Sequence, residues 1–328
     1  MDQITNWEKA VKLFKVSNNI LTEVGRTNFN LEKDIQSLIE KNLKAVFNLE
    51  FIATEFEVKL GAEKFRIDTL GYNKETKSFV IIEYKKVKDY SVVDQGYTYL
   101  SALINNKSDF VLKYNSKTRT IQNLKDFDWS QSRVIFISPT FSSYQKNSVN
   151  FRDVPFELWQ IQKYEDGHIS LEQHIANSDQ SIDGFKQDNK PINRLKGEIV
   201  VTSETDLTSK TDQSALEVWE LLKSHYLDNA DIELNVRKNY ISFKKKNTAI
   251  CYVSFQKLRL QIEILRGYET TKNGKKNVLK ISDPQKMGKE IIKKYPNGDK
   301  EILFRFNVNS AKDTENAKFL IDQKLKAI

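Results

Sequence analysis

The segment FRIDTLGYNKETKSFVIIEYKK, residues 65–86, most constrains what this chain can fold into. Two apolar runs flank a polar turn, Asn73 to Lys77, a pattern that predicts two strands joined side by side. Acids break the pattern twice. Asp68 lies inside the first run, and Glu83 directly follows Phe79-Val80-Ile81-Ile82. Lys85 comes two residues later. Charges buried at the end of an apolar strand are costly unless something pairs with them. Glu83 and Lys85 are separated by one residue, so their side chains leave the same face of the strand. Because the connecting loop is short, Asp68 and Glu83 are placed to converge on one ion. Mg²⁺ favours one or two carboxylates completed by water and phosphate oxygens. A lysine beside such carboxylates can orient or deprotonate a water, or stabilise charge on a phosphate being cleaved.

The surrounding sequence predicts a helix over 31–47, with Leu31, Ile35, Leu38, Ile39, Leu43, Val46 and Phe47 at helical spacing. Strands are expected at about 54–60, 64–71 and 78–84, with turns at Gly61, at Gly71 and over 73–77. A second helix is expected at roughly 91–105. Phe110-Val111-Leu112 and Arg133 to Ile137 read as strands, the latter buried on both faces, and Val154 to Tyr164 reads as another. The leader, 1–27, suggests one short helix from Trp7 to Lys15. This order implies a mixed α/β sandwich spanning 28–175. Residues 176–212 are polar and read as a linker. A separate α+β unit is expected at 213–328. It comprises a helix ALEVWELLKSHYL, strands at about 231–236, 239–245, 248–255 and 257–265, a helix near 284–295, a strand at 301–308 and a helix from Ala311.

Asp68 followed by Glu83-Tyr84-Lys85 resembles the PD-(D/E)XK nuclease superfamily, whose signature is Asp, a spacer, then (Asp/Glu)-x-Lys at a strand end. The family's proline is absent here, since Ile67 precedes Asp68. The first predicted helix carries Glu32, Gln36 and Glu40 on roughly one face, and LEKDIQ resembles the first helix of resolvase-like and RecB-like members. Gln95-Gly96-Tyr97-Thr98-Tyr99 resembles the RecB-like Q-x-x-x-Y motif.

The resemblance covers about 28–165 and implies an αβββαβ restriction-endonuclease-like core that hydrolyses phosphodiesters, usually in DNA. It implies Mg²⁺, replaceable by Mn²⁺, held by Asp68, Glu83 and the backbone carbonyl of Tyr84. Glu32 is favoured as a further carboxylate, with Glu40 as the alternative. Lys85 is implied to act on the attacking water, and Gln95, Tyr99, Gln36 and Glu40 to support the site. Bacterial genome defence or repair is the implied setting, and a two-fold homodimer is one arrangement for double-strand cuts. The alternative is a non-catalytic module that keeps the fold to bind nucleic acid or protein. The 213–328 segment resembles a small uncharacterised domain found attached to such modules.

A formal net charge of +8 fits a polyanionic partner, and an AT-rich coding sequence would produce the same lysine excess. Lys86, Lys88 and Lys107 are candidate DNA-groove residues, with a solvated face as the plain alternative. Lys244-Lys245-Lys246, flanked by Tyr240 and Phe243, reads as a hairpin turn with solvated lysines or as a nucleic-acid contact. His168, His174 and His225 read as surface histidines, and Trp159 and Trp219 as core. One cysteine, Cys251, excludes an internal disulfide or a cysteine-based zinc site and reads as a buried thiol. No apolar run approaches a membrane span and the N-terminus lacks a signal-peptide core, so a cytoplasmic protein is expected.

Overall fold

The computed structural model describes residues 11–61, 63–85, 92–151, 154–175, 195, 198–270, 274–276, 278–294 and 298–328. Lys86 and Lys88 lie outside the described residues. The chain is mixed α/β, with a mixed sheet flanked by helices followed by a second, antiparallel sheet.

The first half runs through hairpin β1 (Leu13–Ser17) and β2 (Ile20–Val24), β3 (Arg26–Thr27), α1 (Glu32–Phe47), β4 (Glu50–Leu60), β5 (Glu63–Asn73) and β6 (Ser78–Tyr84). It continues through α2 (Val92–Asn105), α3 (Lys107–Thr118), β7 (Arg133–Ser138), α4 (Ser143–Ser148), β8 (Phe156–Tyr164) and β9 (Ile169–His174). The sheet order is β3-β8-β7-β6-β5-β4, with β9 beside β8. β4, β5 and β6 form an antiparallel meander, and β6, β7 and β8 run parallel.

Central β6 is buried along its whole length because helices cover both faces. Alternation then sorts its side chains. Val80, Ile82 and Tyr84 pack with Ile35, Ile39 and Leu43 of α1, whereas Phe79 and Ile81 pack with Leu100, Leu103 and Phe110 of α2 and α3. α1 begins with Asp34 accepting the Leu31 N–H (2.9 Å) and ends at Asn48 in the left-handed conformation (φ 55°). Gly96 lets α2 lie against β8, since a Cβ there would stand 2.6 Å from the Phe156 ring.

The second half carries α5 (Glu204–Thr208), α6 (Gln213–Leu227), β10 (Ile232–Arg237), β11 (Tyr240–Lys245), β12 (Thr248–Gln256), β13 (Arg259–Thr270), β14 (Gly274–Lys276), β15 (Gly288–Lys294), β16 (Lys300–Val308) and α7 (Thr314–Leu325). Its sheet order is β10-β11-β12-β13-β16-β15, with β14 beside β13. Trp219 and Leu222 of α6 and Leu320 of α7 fill one face, against Phe243, Cys251, Ile262 and Phe306. The Cys251 thiol is fully buried, and burial pushes its pKa upward.

Four expectations are corrected. Phe110-Val111-Leu112 lies in α3. Phe110, Val111 and Tyr114 share a buried face while Leu112 is exposed, so the helical period overrides the short apolar run. Residues 288–294 form strand β15, paired along β16, where a helix was expected. The described part of the leader, from residue 11, is a hairpin whose turn uses Asn18 and Asn19 at positive φ, so no helix reaches Lys15. Lys244 is neither solvated nor free for DNA. It is buried and bonded to Glu75 at 2.9 Å.

Other expectations are met in full or in part. Trp219 is fully buried, and Trp159 is half-buried with an edge contact to Phe47. His168 and His225 are exposed, while His174 on β9 is half-buried, its pKa lowered by that burial. Within the polar 176–212 stretch, Leu195 and Ile199 are buried in the first half's core. Glu204 of α5 accepts from Trp219 Nε1 and Lys223 Nζ, both at 2.7 Å. Among the described residues no helix is long and apolar enough to cross a membrane.

The two halves meet through polar groups. Glu75, in the β5–β6 turn, accepts from Tyr240 Oη and Lys244 Nζ, both at 2.9 Å. Asn247 donates to the Ala45 carbonyl at the end of α1. Burial opposes the charge on Glu75, and Lys244 and Arg237 outweigh it, holding the carboxyl below its usual range. Removing one member strands a buried charge. Lys244→Ala is expected to cost about 3 kcal/mol in chemical denaturation, whereas Lys246→Ala, an exposed neighbour, changes stability by less than about 0.5 kcal/mol.

Candidate active site

The β5–β6 ladder runs from Asn73 with Ser78 to Thr69 with Ile82, and one step further the same register sets Asp68 across from Glu83. At that point Asp68 Oδ2 accepts the Tyr84 N–H at 3.1 Å. The neighbouring Lys85 N–H goes to the Ile137 carbonyl of β7 at 2.9 Å, so the backbone groups of Tyr84 face the β5 side. Glu83 and Lys85 share the face that Phe79 and Ile81 present to α2.

That helix supplies the partners. Gln95 donates to Glu83 Oε1 at 2.8 Å and to Tyr99 Oη at 3.0 Å, and Lys85 Nζ lies 3.2 Å from the same Glu83 oxygen. Tyr99 Oη spends its hydrogen on the Arg66 carbonyl (3.2 Å). Glu83 Oε2 is left buried without a hydrogen-bond partner, in a residue only 5% exposed. A buried carboxylate oxygen in that condition calls for a cation or a proton.

Both carboxyls hold protons more tightly than usual. Burial is the main cause for Glu83, reinforced by the Asp68 charge and offset in part by Lys85, and its pKa is pushed up to about 7. Asp68 is raised by burial above all and then by the charges of Glu55 and Glu32, against the Tyr84 N–H and Lys85.

The first helix divides its polar residues between two tasks. Gln36 is buried and donates to the Asp68 carbonyl at 2.9 Å, to Thr54 at 3.0 Å and to Glu40 at 3.1 Å. Glu40 also accepts from Thr69 Oγ1 (2.6 Å), which lies 3.2 Å from Tyr84 Oη. Glu40 thus braces the α1 face of the hairpin, behind the acids. Glu32, at the exposed start of α1, is the helix carboxylate whose charge is felt at Asp68. Lys107 is occupied elsewhere. It pairs with Glu198 at 2.9 Å and lies over the Trp129 ring, beyond the opposite end of the strands.

Glu55 was not foreseen. Its neighbours Thr54 and Phe56 pair with Thr69 and Ile67, so Glu55 falls across from Asp68 in β4. Its φ of 49° interrupts the extended backbone there, and its carboxylate is bound by Lys33 (3.0 Å) and Arg66 (2.6 Å). Counting outward from the turn at Gly61 pairs position 55 with 68, so the register carried that signal. Nothing in the sequence marks the positive φ.

Among the described residues no group of three or more His, Cys, Asp or Glu side chains gathers to hold a metal. Two facing carboxylates, one with an unpartnered buried oxygen, still match the sparse protein contribution Mg²⁺ accepts when phosphate and water complete its shell.

A raised carboxyl pKa stabilises the fold below the unfolded value and loses that contribution as pH rises through the folded value. In EDTA, the wild-type melting temperature is therefore expected to carry a Glu83-dependent decline between about pH 4.5 and about 7. Glu83→Gln, which keeps the shape without the charge, is expected to flatten that decline in melting curves recorded across the range.

No family model and no solved structure matches this chain. An uncharacterised protein of Haemophilus influenzae is 36% identical over 325 residues, an alignment covering 96% of this chain and 100% of that one. The match therefore runs through both sheets and the polar stretch between them. This chain belongs to the same family as the Haemophilus influenzae protein.

Proposed function

We propose that this protein is a Mg²⁺-dependent endonuclease of the PD-(D/E)XK type, hydrolysing DNA phosphodiester bonds in bacterial genome defence or repair. The observation that carries the reading is the pair Asp68, inside β5, and Glu83, near the end of neighbouring β6, with Glu83 Oε2 buried and lacking a donor. The element order α1-β4-β5-β6-α2 followed by β7, with β7 parallel to β6, is consistent with the αβββαβ restriction-endonuclease-like core. A net charge of +8 suits the polyanionic substrate.

Asp68, Glu83 and the Tyr84 carbonyl would hold Mg²⁺, with Glu32 assisting; Mn²⁺ would substitute. When bound, the ion supplies Lewis acidity to a phosphate oxygen and lowers the pKa of a water. Gln95 and Lys85 fix the Glu83 carboxylate from its Oε1 side, leaving Oε2 for the ion. Gln36 fixes the Asp68 backbone from the opposite layer. Lys85 Nζ orients the attacking water and stabilises charge on the phosphate. The water oxygen bonds to phosphorus, the bond from phosphorus to the leaving ester oxygen breaks, and the water's proton passes to solvent or to that oxygen.

Plasmid DNA incubated with Mg²⁺ tests this. Wild type is expected to cleave, EDTA to abolish cleavage, and Asp68→Ala or Lys85→Ala to reduce the rate by at least about 100-fold, within the usual range for proton-transfer and electrostatic groups. Equal cleavage by wild type and both variants would contradict the assignment. DNA binding with no cleavage by wild type in Mg²⁺ or Mn²⁺ identifies the binding-module alternative.

A further inference from the structure

Between the two halves lies a cavity of about 180 Å³, bordered by the start of β7, the start of β8, residues 200–202 and the end of β10. One water needs roughly 15 Å³ of such space, so the cavity is large enough for a polyatomic ligand. Its lining is cationic. Arg133, Arg237 and Lys238 all border it, alongside Glu157 and Ser132.

The acid is already engaged, because Glu157 Oε1 lies 2.5 Å from Arg133 Nε and Oε2 accepts from Trp159 Nε1 at 2.9 Å. Arg237 is not satisfied in the same way. Its Nε is buried with no hydrogen-bond partner, and among the described residues its side chain makes one long bond (3.4 Å), from Nη1 to the Val236 carbonyl. Ser132, 2% exposed, likewise has a buried Oγ with no partner. Lys238 Nζ donates to Ser130 Oγ at 3.0 Å and stands 4.0 Å from Asp128, its side chain 39% exposed, so it marks the mouth.

Arg133 and Arg237 repel each other along this wall, and although the Glu75 and Glu157 charges favour Arg237, its Nε and the Ser132 hydroxyl remain without a hydrogen-bond partner. Leaving such donors unpaired in a buried site is costly, whereas a planar or tetrahedral oxyanion satisfies several at once. From this geometry we infer that the interdomain cavity is a binding site for a small phosphate-type oxyanion, bound by Arg237, Ser132 and Lys238. The site is separate from Asp68 and Glu83, since Arg133 pairs with Val80 at the beginning of β6 and the acids stand at or beyond its end. The donors are shared by inorganic phosphate and by the phosphate of a nucleotide.

The full chain, purified without phosphate, is titrated with inorganic phosphate at constant ionic strength, by calorimetry and by thermal shift. Saturable binding at one site per chain is expected, with a melting temperature that rises with phosphate concentration. Arg237→Gln is expected to weaken binding by at least about tenfold, the loss of a charge-assisted bond. Because Arg237 also contacts the domain interface, Lys238→Gln at the mouth serves as the milder variant, with a several-fold weakening expected and the phosphate-free melting temperature unchanged. Lys85→Ala is expected to bind phosphate as wild type does. Tighter binding of a deoxynucleoside monophosphate points to a nucleotide as the source, and equal binding points to free phosphate. No saturable binding, binding unaffected by both Arg237→Gln and Lys238→Gln, or binding lost in Lys85→Ala would overturn the assignment.

Discussion

The structure depends on one costly juxtaposition, the half-buried Asp68 carboxylate and the buried Glu83 carboxylate on neighbouring strands of the β5–β6 hairpin. Neither acid can hold its charge cheaply there: burial pushes both toward the protonated form, helped at Glu83 by the Asp68 charge and at Asp68 by the charges of Glu55 and Glu32. The surrounding elements act on that problem from two layers. On one side α2 sends Gln95 to Glu83, at a height set by Gly96 lying against Phe156. On the other, α1 uses Gln36 to hold the Asp68 carbonyl and Glu40 to hold Thr69. These contacts fix the carboxylates from both layers and leave Glu83 Oε2 buried with no hydrogen-bond partner.

The same hairpin is fastened at its other end. Glu75 in its turn is gripped by Tyr240 and Lys244 from the second sheet, in a bonded set largely withdrawn from solvent. The two halves therefore share the β5–β6 unit, the first using the acids on its strands and the second its turn. This makes Lys244, in a lysine-rich turn, a structural residue, while its neighbour Lys246 remains exposed.

Much of the site was legible because it is local. Glu83 and Lys85 on one face follow from strand alternation, and Gln95 with Tyr99 follows from helical spacing. The apolar run of β7 announced a strand buried on both faces, as the structure has it. What escaped depends on tertiary context. Phe110 and Val111 pack as part of a helix because Tyr114 joins them on one face, a period longer than the three-residue run suggested. Residues 288–294 take strand form because β16 offers an edge to pair with, which no local propensity records. Glu55 and the buried partner of Lys244 lie far from their contacts in sequence, and only the register of β4 with β5 or the docking of the second sheet brings them together.

The central claim, that Asp68 and Glu83 form a cation site, is tested most directly by titrating Mn²⁺ into the full-length protein by calorimetry near pH 6, in buffers of different ionisation enthalpy. Wild type is expected to bind Mn²⁺ with proton release, because Glu83, with a pKa of about 7, must give up its proton as the ion enters. Glu83→Gln is expected to lose both the binding and the proton release. Equal Mn²⁺ binding by wild type and Glu83→Gln, or binding by wild type with no proton exchanged, would contradict the account.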